Sequence, residues 1–253
     1  MYVHFIINQA NQKGSTTQEI LMISTAKFLE NLSILKERIS DACSAVGRNP
    51  SEVNLLPVTK NWPVDAVKHC LQAGIDRVGE NRVQEAVLKQ EQIKGVKWEL
   101  IGHLQSNKVK QSIGRFSRIQ TLDSLKLIRK VSSSAKEANQ AVRVLIQVNS
   151  GNDPAKYGFK IEEASNALDV ALQSKFLKVE GLMTIAPFAP EDSCIAQKCF
   201  DRLAELQISL RESHGLDLKE LSMGMSGDLT QAIAAGSTMI RVGSALFGNR
   251  SGI

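Results

Sequence analysis

Residues 54–60, Asn-Leu-Leu-Pro-Val-Thr-Lys, form a short apolar run that closes on a lysine. Bounded by polar residues and followed by Pro63, which opens a helix, the run suits the first strand of an α/β unit. Side chains alternate along a strand, so Lys60 shares a face with Val58 and Leu56 and opposes Thr59. It points where the core points. An ammonium at the edge of an apolar interior finds partners or loses its proton, and a neutral amine is the nucleophile that forms Schiff bases. A solvated lysine at a strand end is the competing reading, and position alone favours it.

Downstream, the chain repeats one unit, strand then helix. Helices are predicted over 63–73, 83–92, 106–113, 161–174, 194–214 and 229–235, and strands over 77–79, 98–101, 118–121, 142–148, 179–183, 220–222 and 239–242. Asp123 is the predicted N-cap of the helix after the fourth strand. Upstream, Leu29, Leu32, Leu35, Ile39, Ala42 and Val46 recur at helical spacing, and Gly47 ends that helix. Eight strands alternating with helices, without a linker or a shift in composition, point to a single (β/α)8 barrel over residues 25–253 with no second domain. The other architecture is an open doubly wound sheet. Its first βα turn, however, lacks Gly-x-Gly-x-x-Gly, which argues against a dinucleotide site.

Residues 1–24 mix short apolar pieces with Asn, Gln, Ser and Thr, and are expected to be a disordered extension, with Met22 a candidate start. The 253-residue chain carries a net charge of +5, but its Lys and Arg are interspersed with Asp and Glu. No continuous basic stripe with aromatics supports nucleic-acid binding, and no apolar stretch is long enough to span a membrane. Cys43, Cys70, Cys194 and Cys199 form no Cys-x-x-Cys pair, which argues against zinc and disulfides. With no basic leader or cleavage site, the expected location is the cytoplasm.

In such barrels the C-terminal strand ends form the working face, with phosphate often bound after strands seven and eight. There the chain carries Ser222-Met-Gly-Met-Ser-Gly-Asp228 and Gly243-Ser244. Glycines admit backbone N–H groups to a phosphate and hydroxyls add donors. Arg241, two residues before Gly243, shares its face, and barrel closure puts this strand beside the one ending in Lys60. Asn81, at the end of strand two, flanks Lys60 from the other side. An amine, a phosphate cradle and an arginine able to meet a pyridine nitrogen together describe a pyridoxal 5'-phosphate site. An arginine partner leaves the ring nitrogen mostly unprotonated and weakens the ring as an electron sink. The alternative for Arg241 is a structural ion pair. His103 also ends a strand, where a satisfied rim histidine is favoured over a base; His69 and His214 are expected at the surface.

Val-Thr-Lys (58–60), Val-Gly-Glu-Asn-Arg-Val-Gln-Glu (78–85), Leu-Ile-Gly-His-Leu-Gln-Ser-Asn-Lys (100–108), Gly-Leu-Met-Thr-Ile (181–185), Leu-Ser-Met-Gly-Met-Ser (221–226) and Gly-Ser-Thr-Met-Ile-Arg-Val-Gly-Ser-Ala-Leu-Phe-Gly (236–248) closely resemble the pyridoxal phosphate homeostasis protein family. The resemblance implies an alanine-racemase-like barrel without the racemase's all-β domain, and a cofactor held as an internal aldimine on Lys60. It implies phosphate contacts at Ser226, Gly243 and Ser244, a ring-nitrogen contact at Arg241, and a role for Asn81. Gly227, where the family has an acidic residue, Asn61-Trp62 after the lysine, and the N-terminal extension depart from the pattern. Racemisation needs a base poised at the substrate Cα, often two. The expected function is therefore a non-enzymatic carrier and regulator of pyridoxal phosphate, monomeric, serving cofactor-dependent acceptor enzymes. The alternatives are a minimal amino-acid racemase using Lys60 and His103, or a scaffold that binds partners according to its cofactor.

Overall fold

The computed structural model describes residues 3–6 and 19–248. Two short strands, β1 (Val3–Ile6) and β2 (Glu19–Met22), pair antiparallel as a sheet of their own. The branched and aromatic residues of those two runs, expected from the sequence to lie in a disordered extension, favour extended chain, and the runs satisfy one another's backbone groups. Met22 and Ile23 belong to the core, so part of the supposed extension is packed. The rest of that stretch lies outside the described residues.

Eight parallel strands follow: β3 (Asn54–Pro57), β4 (Arg77–Glu80), β5 (Lys97–Leu100), β6 (Arg118–Leu122), β7 (Val142–Gln147), β8 (Leu177–Met183), β9 (Glu220–Ser222) and β10 (Met239–Val242). Their helices are α1 (Thr25–Ser44), α2 (Val64–Gln72), α3 (Val83–Gln92), α4 (Val109–Ser112), α5 (Leu125–Glu137), α6 (Ala164–Leu172), α7 (Ser193–His214), α8 (Leu229–Ala234) and α9 (Ser244–Phe247). The sheet runs β3-β10-β9-β8-β7-β6-β5-β4, and its two end strands meet through one isolated parallel bridge, Val58 with Gly79. The result is a (β/α)8 barrel, nearly closed, with a thin seam between β3 and β4.

Most of the apolar core lies in one cluster that includes residues of α1, α5, α7 and the strands they cover. A second, small cluster joins Leu56, Val58, Ile101 and Met239. These four share the strand parity of Lys60, so they face the barrel interior. Charged residues fill the interior at the N-terminal ends of the strands. Arg118 is buried there within 2.8 Å of Glu180, 2.7 Å of Glu220 and 3.8 Å of Glu99.

Three local expectations change. Ser124, not Asp123, caps α5, its hydroxyl accepting from the Leu127 N–H at 3.3 Å, because the Asp123 carboxylate is engaged by His103. His69 is half-buried, its ring stacked on Phe28 and its nitrogens 3.2 Å from Thr25 Oγ1 and 3.2 Å from Ile23 O, because the segment entering α1 crosses α2. His214 is also largely covered, 3.2 Å from Asp169.

Candidate functional site

Lys60 stands where β3 gives way to a turn. The Val58 N–H donates to Val242 O at 2.8 Å and the Thr59 N–H to Gly79 O at 3.0 Å, so neighbouring strands hold the chain on both sides just before the lysine. The Trp62 N–H closes the turn on Thr59 O at 3.1 Å. Asn61 takes φ of 60°, a left-handed conformation that Asn tolerates better than most residues, which accounts for an Asn after the lysine. Trp62 is buried beside Phe247 of α9, ring centroids 5.9 Å apart, and Phe247 stacks on Phe28 at 5.5 Å. This aromatic column ties the turn bearing Lys60 to the helix that follows Gly243.

Above the strand ends lies a cavity of about 540 Å³, whose wall includes Lys60, Arg241, Ser226, Gly243 and Ser244. Five of the six residues singled out in the sequence thus converge. Strand register explains the meeting: β10 pairs with β3, Arg241 opposite Leu56 and Val242 opposite Pro57. Arg241 is only 4% exposed, and its Nη1 donates to Ser222 Oγ at 2.7 Å and its Nη2 to Thr184 O at 2.7 Å. Both acceptors are neutral, which is not the structural ion pair considered as the alternative. Burial pulls the guanidinium pKa down to about 10, partly opposed by the charge of Asp228, so Arg241 remains a cation at neutral pH.

Hydroxyls and backbone donors meet on the rim. Ser244 Oγ lies 3.2 Å from Ser226 Oγ, which also accepts from the Ala245 N–H at 3.4 Å. A Cβ on Gly243 would come within 3.3 Å of Val58 O, so glycine lets the β10 turn lie close against β3. Arg38 of α1 donates to Ser226 O at 3.1 Å and the Met225 N–H donates to Asp228, which together fix the loop after β9. Gly227 lies in the cavity wall, so the position where the resemblance expects an acidic side chain is open.

Asn81 is not among the residues lining this cavity; it lies half-buried in the turn after β4, so close to Gly102 that a Cβ there would collide with the Asn81 backbone. His103 likewise stands outside the lining. Its Nδ1 lies 2.6 Å from Asp123 Oδ2 and its ring stacks on Tyr157 at 4.1 Å between centroids. That agrees with a satisfied rim histidine.

Sequence reasoning missed several walls of the cavity. Phe188, 90% exposed on the loop after β8, lines it together with Pro187 and Pro190, and Lys156 does so from the loop after β7. The run Ala-Pro-Phe-Ala-Pro at 186–190 was the available signal, an aromatic held between prolines just past a strand end. Ser222 and Thr184, the partners of Arg241, carried no such signal, since a lone hydroxyl at a strand end is common.

Residues 23–251 match the model of the alanine racemase N-terminal domain family. The chain is 38% identical over 225 residues to a pyridoxal phosphate homeostasis protein of Aquifex aeolicus, covering 87% of this chain and 97% of that one. Among solved structures, a protein of unknown function from Bifidobacterium adolescentis superposes with a TM-score of 0.84 at 30% identity, over 88% of this chain and 95% of its own. PipY of Synechococcus elongatus, solved with pyridoxal phosphate bound, superposes with a TM-score of 0.74 at 33% identity, over 83% of this chain and 100% of its own. With the barrel, the lysine at the end of its first strand and relatives matched along nearly their whole length, the chain belongs to the pyridoxal phosphate homeostasis protein family.

Proposed function

We propose that this protein binds pyridoxal 5'-phosphate reversibly in the cavity at the C-terminal end of its barrel and acts as a carrier that keeps the free aldehyde low. One observation carries the reading: a lysine, a buried arginine with neutral partners and a pair of rim hydroxyls converge on one cavity. That donor set fits the cofactor. Lys60 would take the aldehyde carbon, Arg241 would donate to the ring nitrogen, and Ser226, Ser244 and the Gly243 turn would hold the phosphate, while Asn81, outside the lining, would act only from the neighbouring strand end. When bound, the cofactor supplies an electrophilic carbonyl and an electron-withdrawing ring. Arg241, still a cation at neutral pH, would keep its own proton and leave the ring nitrogen unprotonated, which tempers that withdrawal and suits retention over turnover.

The carrier is proposed to be cytoplasmic and monomeric, and to serve cofactor-dependent acceptor enzymes. Among the described residues no helix is long and apolar enough to cross a membrane. A second reading is a minimal amino-acid racemase, for which His103, paired with Asp123 but outside the cavity lining, is the strand-end histidine nearest to hand in the sequence. It requires a base at the substrate Cα.

The test is an absorbance spectrum of the purified protein with added cofactor, then borohydride reduction and peptide mass mapping. A new band and a pyridoxyl mass on the peptide holding Lys60 are expected. Absence of both at excess cofactor would sink the reading. Conversion of L- to D-amino acids, lost in Lys60→Ala, would replace the carrier by the racemase.

A further inference from the structure

The seam between β3 and β4 is one of the thin junctions in the barrel, as is that between β9 and β10, and Lys60 sits at its upper end. Between these two strands run the Val58–Gly79 bridge and the Thr59 N–H to Gly79 O bond. A buried side-chain cluster from β4 and α3 bridges the gap at that point. Lys89 of α3, 5% exposed, donates to Thr59 O at 2.7 Å, to Glu80 Oε1 at 2.6 Å and to Glu85 Oε1 at 2.8 Å. The Thr59 hydroxyl donates to Glu80 Oε1 at 2.6 Å. Glu85 Oε1 in turn accepts the Asn61 N–H. The cluster therefore grips the residue before Lys60 through its carbonyl and hydroxyl, and the residue after it through its amide.

We propose that Glu80, Glu85 and Lys89 are positioning residues for Lys60, a side-chain latch that sets where its amine meets the cofactor aldehyde; this rests on the reading of Lys60 as the attachment point. Three features support a role beyond packing. First, the contacts run to the backbone of the two residues flanking the lysine. Second, the gripped turn includes Asn61 at φ of 60°, a left-handed residue that the Glu85 carboxylate holds through its amide. Third, the cluster is incompletely compensated: Glu80 is fully buried and its Oε2 has no hydrogen-bond partner among the described residues. A stability device would be better served by apolar side chains of the same volume. Burial pushes the Glu80 carboxyl up to about 7, against the pull of Lys89 and with the push of Glu85, while the Thr59 hydroxyl favours the charged form.

The test compares two ligands that differ only at the reacting carbon. Pyridoxine 5'-phosphate keeps the ring and phosphate but carries an alcohol where pyridoxal 5'-phosphate has an aldehyde, so its binding does not depend on the amine. Lys89→Met, the charge-neutral pair Glu80→Gln/Lys89→Met and the milder Glu85→Gln would each be titrated with both compounds, with Lys89→Arg as the conservative control. Melting temperatures would report the fold. Lys89→Met and the paired variant are expected to lose roughly tenfold to a hundredfold in aldehyde affinity while holding pyridoxine phosphate within about twofold, as a small misplacement of a reacting group does. Lys89→Arg is expected to restore part of the loss. Equal losses for both ligands, or no loss for either in variants that remain folded, would overturn the latch. If the unsubstituted protein takes up the aldehyde at a residue other than Lys60, the attachment reading fails first, and peptide mapping separates that outcome from failure of the latch.

Discussion

The barrel buries an arginine near each end and treats the two in opposite ways. At the end where strands begin, Arg118 is surrounded by Glu99, Glu180 and Glu220. Burial acts to lower its pKa, but Glu99, Glu220 and Glu180 outweigh burial and the net shift is upward. At the end where strands finish, Arg241 has a hydroxyl and a carbonyl for partners, and burial prevails. An arginine compensated by its own chain is part of the scaffold. One left beside a cavity with neutral partners has binding energy in reserve for an electron-rich ligand.

The contrast can be broken in several ways. Lys60→Ala has the largest expected effect, complete loss of the borohydride-fixed adduct by mass spectrometry; a stoichiometric adduct elsewhere would detach the Arg241 end from cofactor chemistry. Next, Arg118→Met strands buried carboxylates and is expected to cost about 3–5 kcal/mol in urea denaturation. Arg241→Met should cost less than half as much yet abolish the ring signature of the bound cofactor. Equal stability losses would erase the distinction between scaffold and site.

Glu80 gives a pH-dependent prediction. Its folded pKa of about 7 lies above the ordinary carboxyl value of 4.5, so the folded state holds the proton more tightly. The stability it contributes is complete below about 4.5 and is lost as pH rises through about 7. Glu80→Gln should flatten that decline in a series of melting temperatures. An unchanged slope would mean that another group carries it. The smallest effect belongs to Ser244→Ala, which removes one neutral donor at the rim. About 0.5–1.5 kcal/mol of affinity should go, equivalent to roughly twofold to tenfold in a cofactor titration. No change would remove Ser244 from the phosphate cradle.

What could be read from the sequence was whatever short-range periodicity carries. Strand parity put Lys60 and Arg241 on the inner face, and barrel closure put their strands side by side, as the register of β3 with β10 bears out. Convergence of the Ser226 and Gly243-Ser244 loops followed from the same closure. The latch was not legible. Glu80 and Glu85 stand within the quoted stretch 78–85, but their partner Lys89 lies on a later turn of α3 and meets Thr59 only after the barrel closes. The Arg118 cluster was hidden for a similar reason, since its carboxylates come from three other strands. Asp123 illustrates competition between local and distant partners: a good capping residue by type, it is taken by His103 and leaves the cap to Ser124.

The thin junction between β3 and β4 also bears on time. A sheet breathes where its ladder is sparse, and amide hydrogens there are expected to exchange with solvent sooner than those in longer ladders such as β7 with β8. Lys60 rides on the strand that such an opening would loosen. How long the barrel keeps hold of an aldehyde would then be governed by a local fluctuation of its own wall, separately from how tightly the cavity grips, so residence time and affinity could be tuned independently.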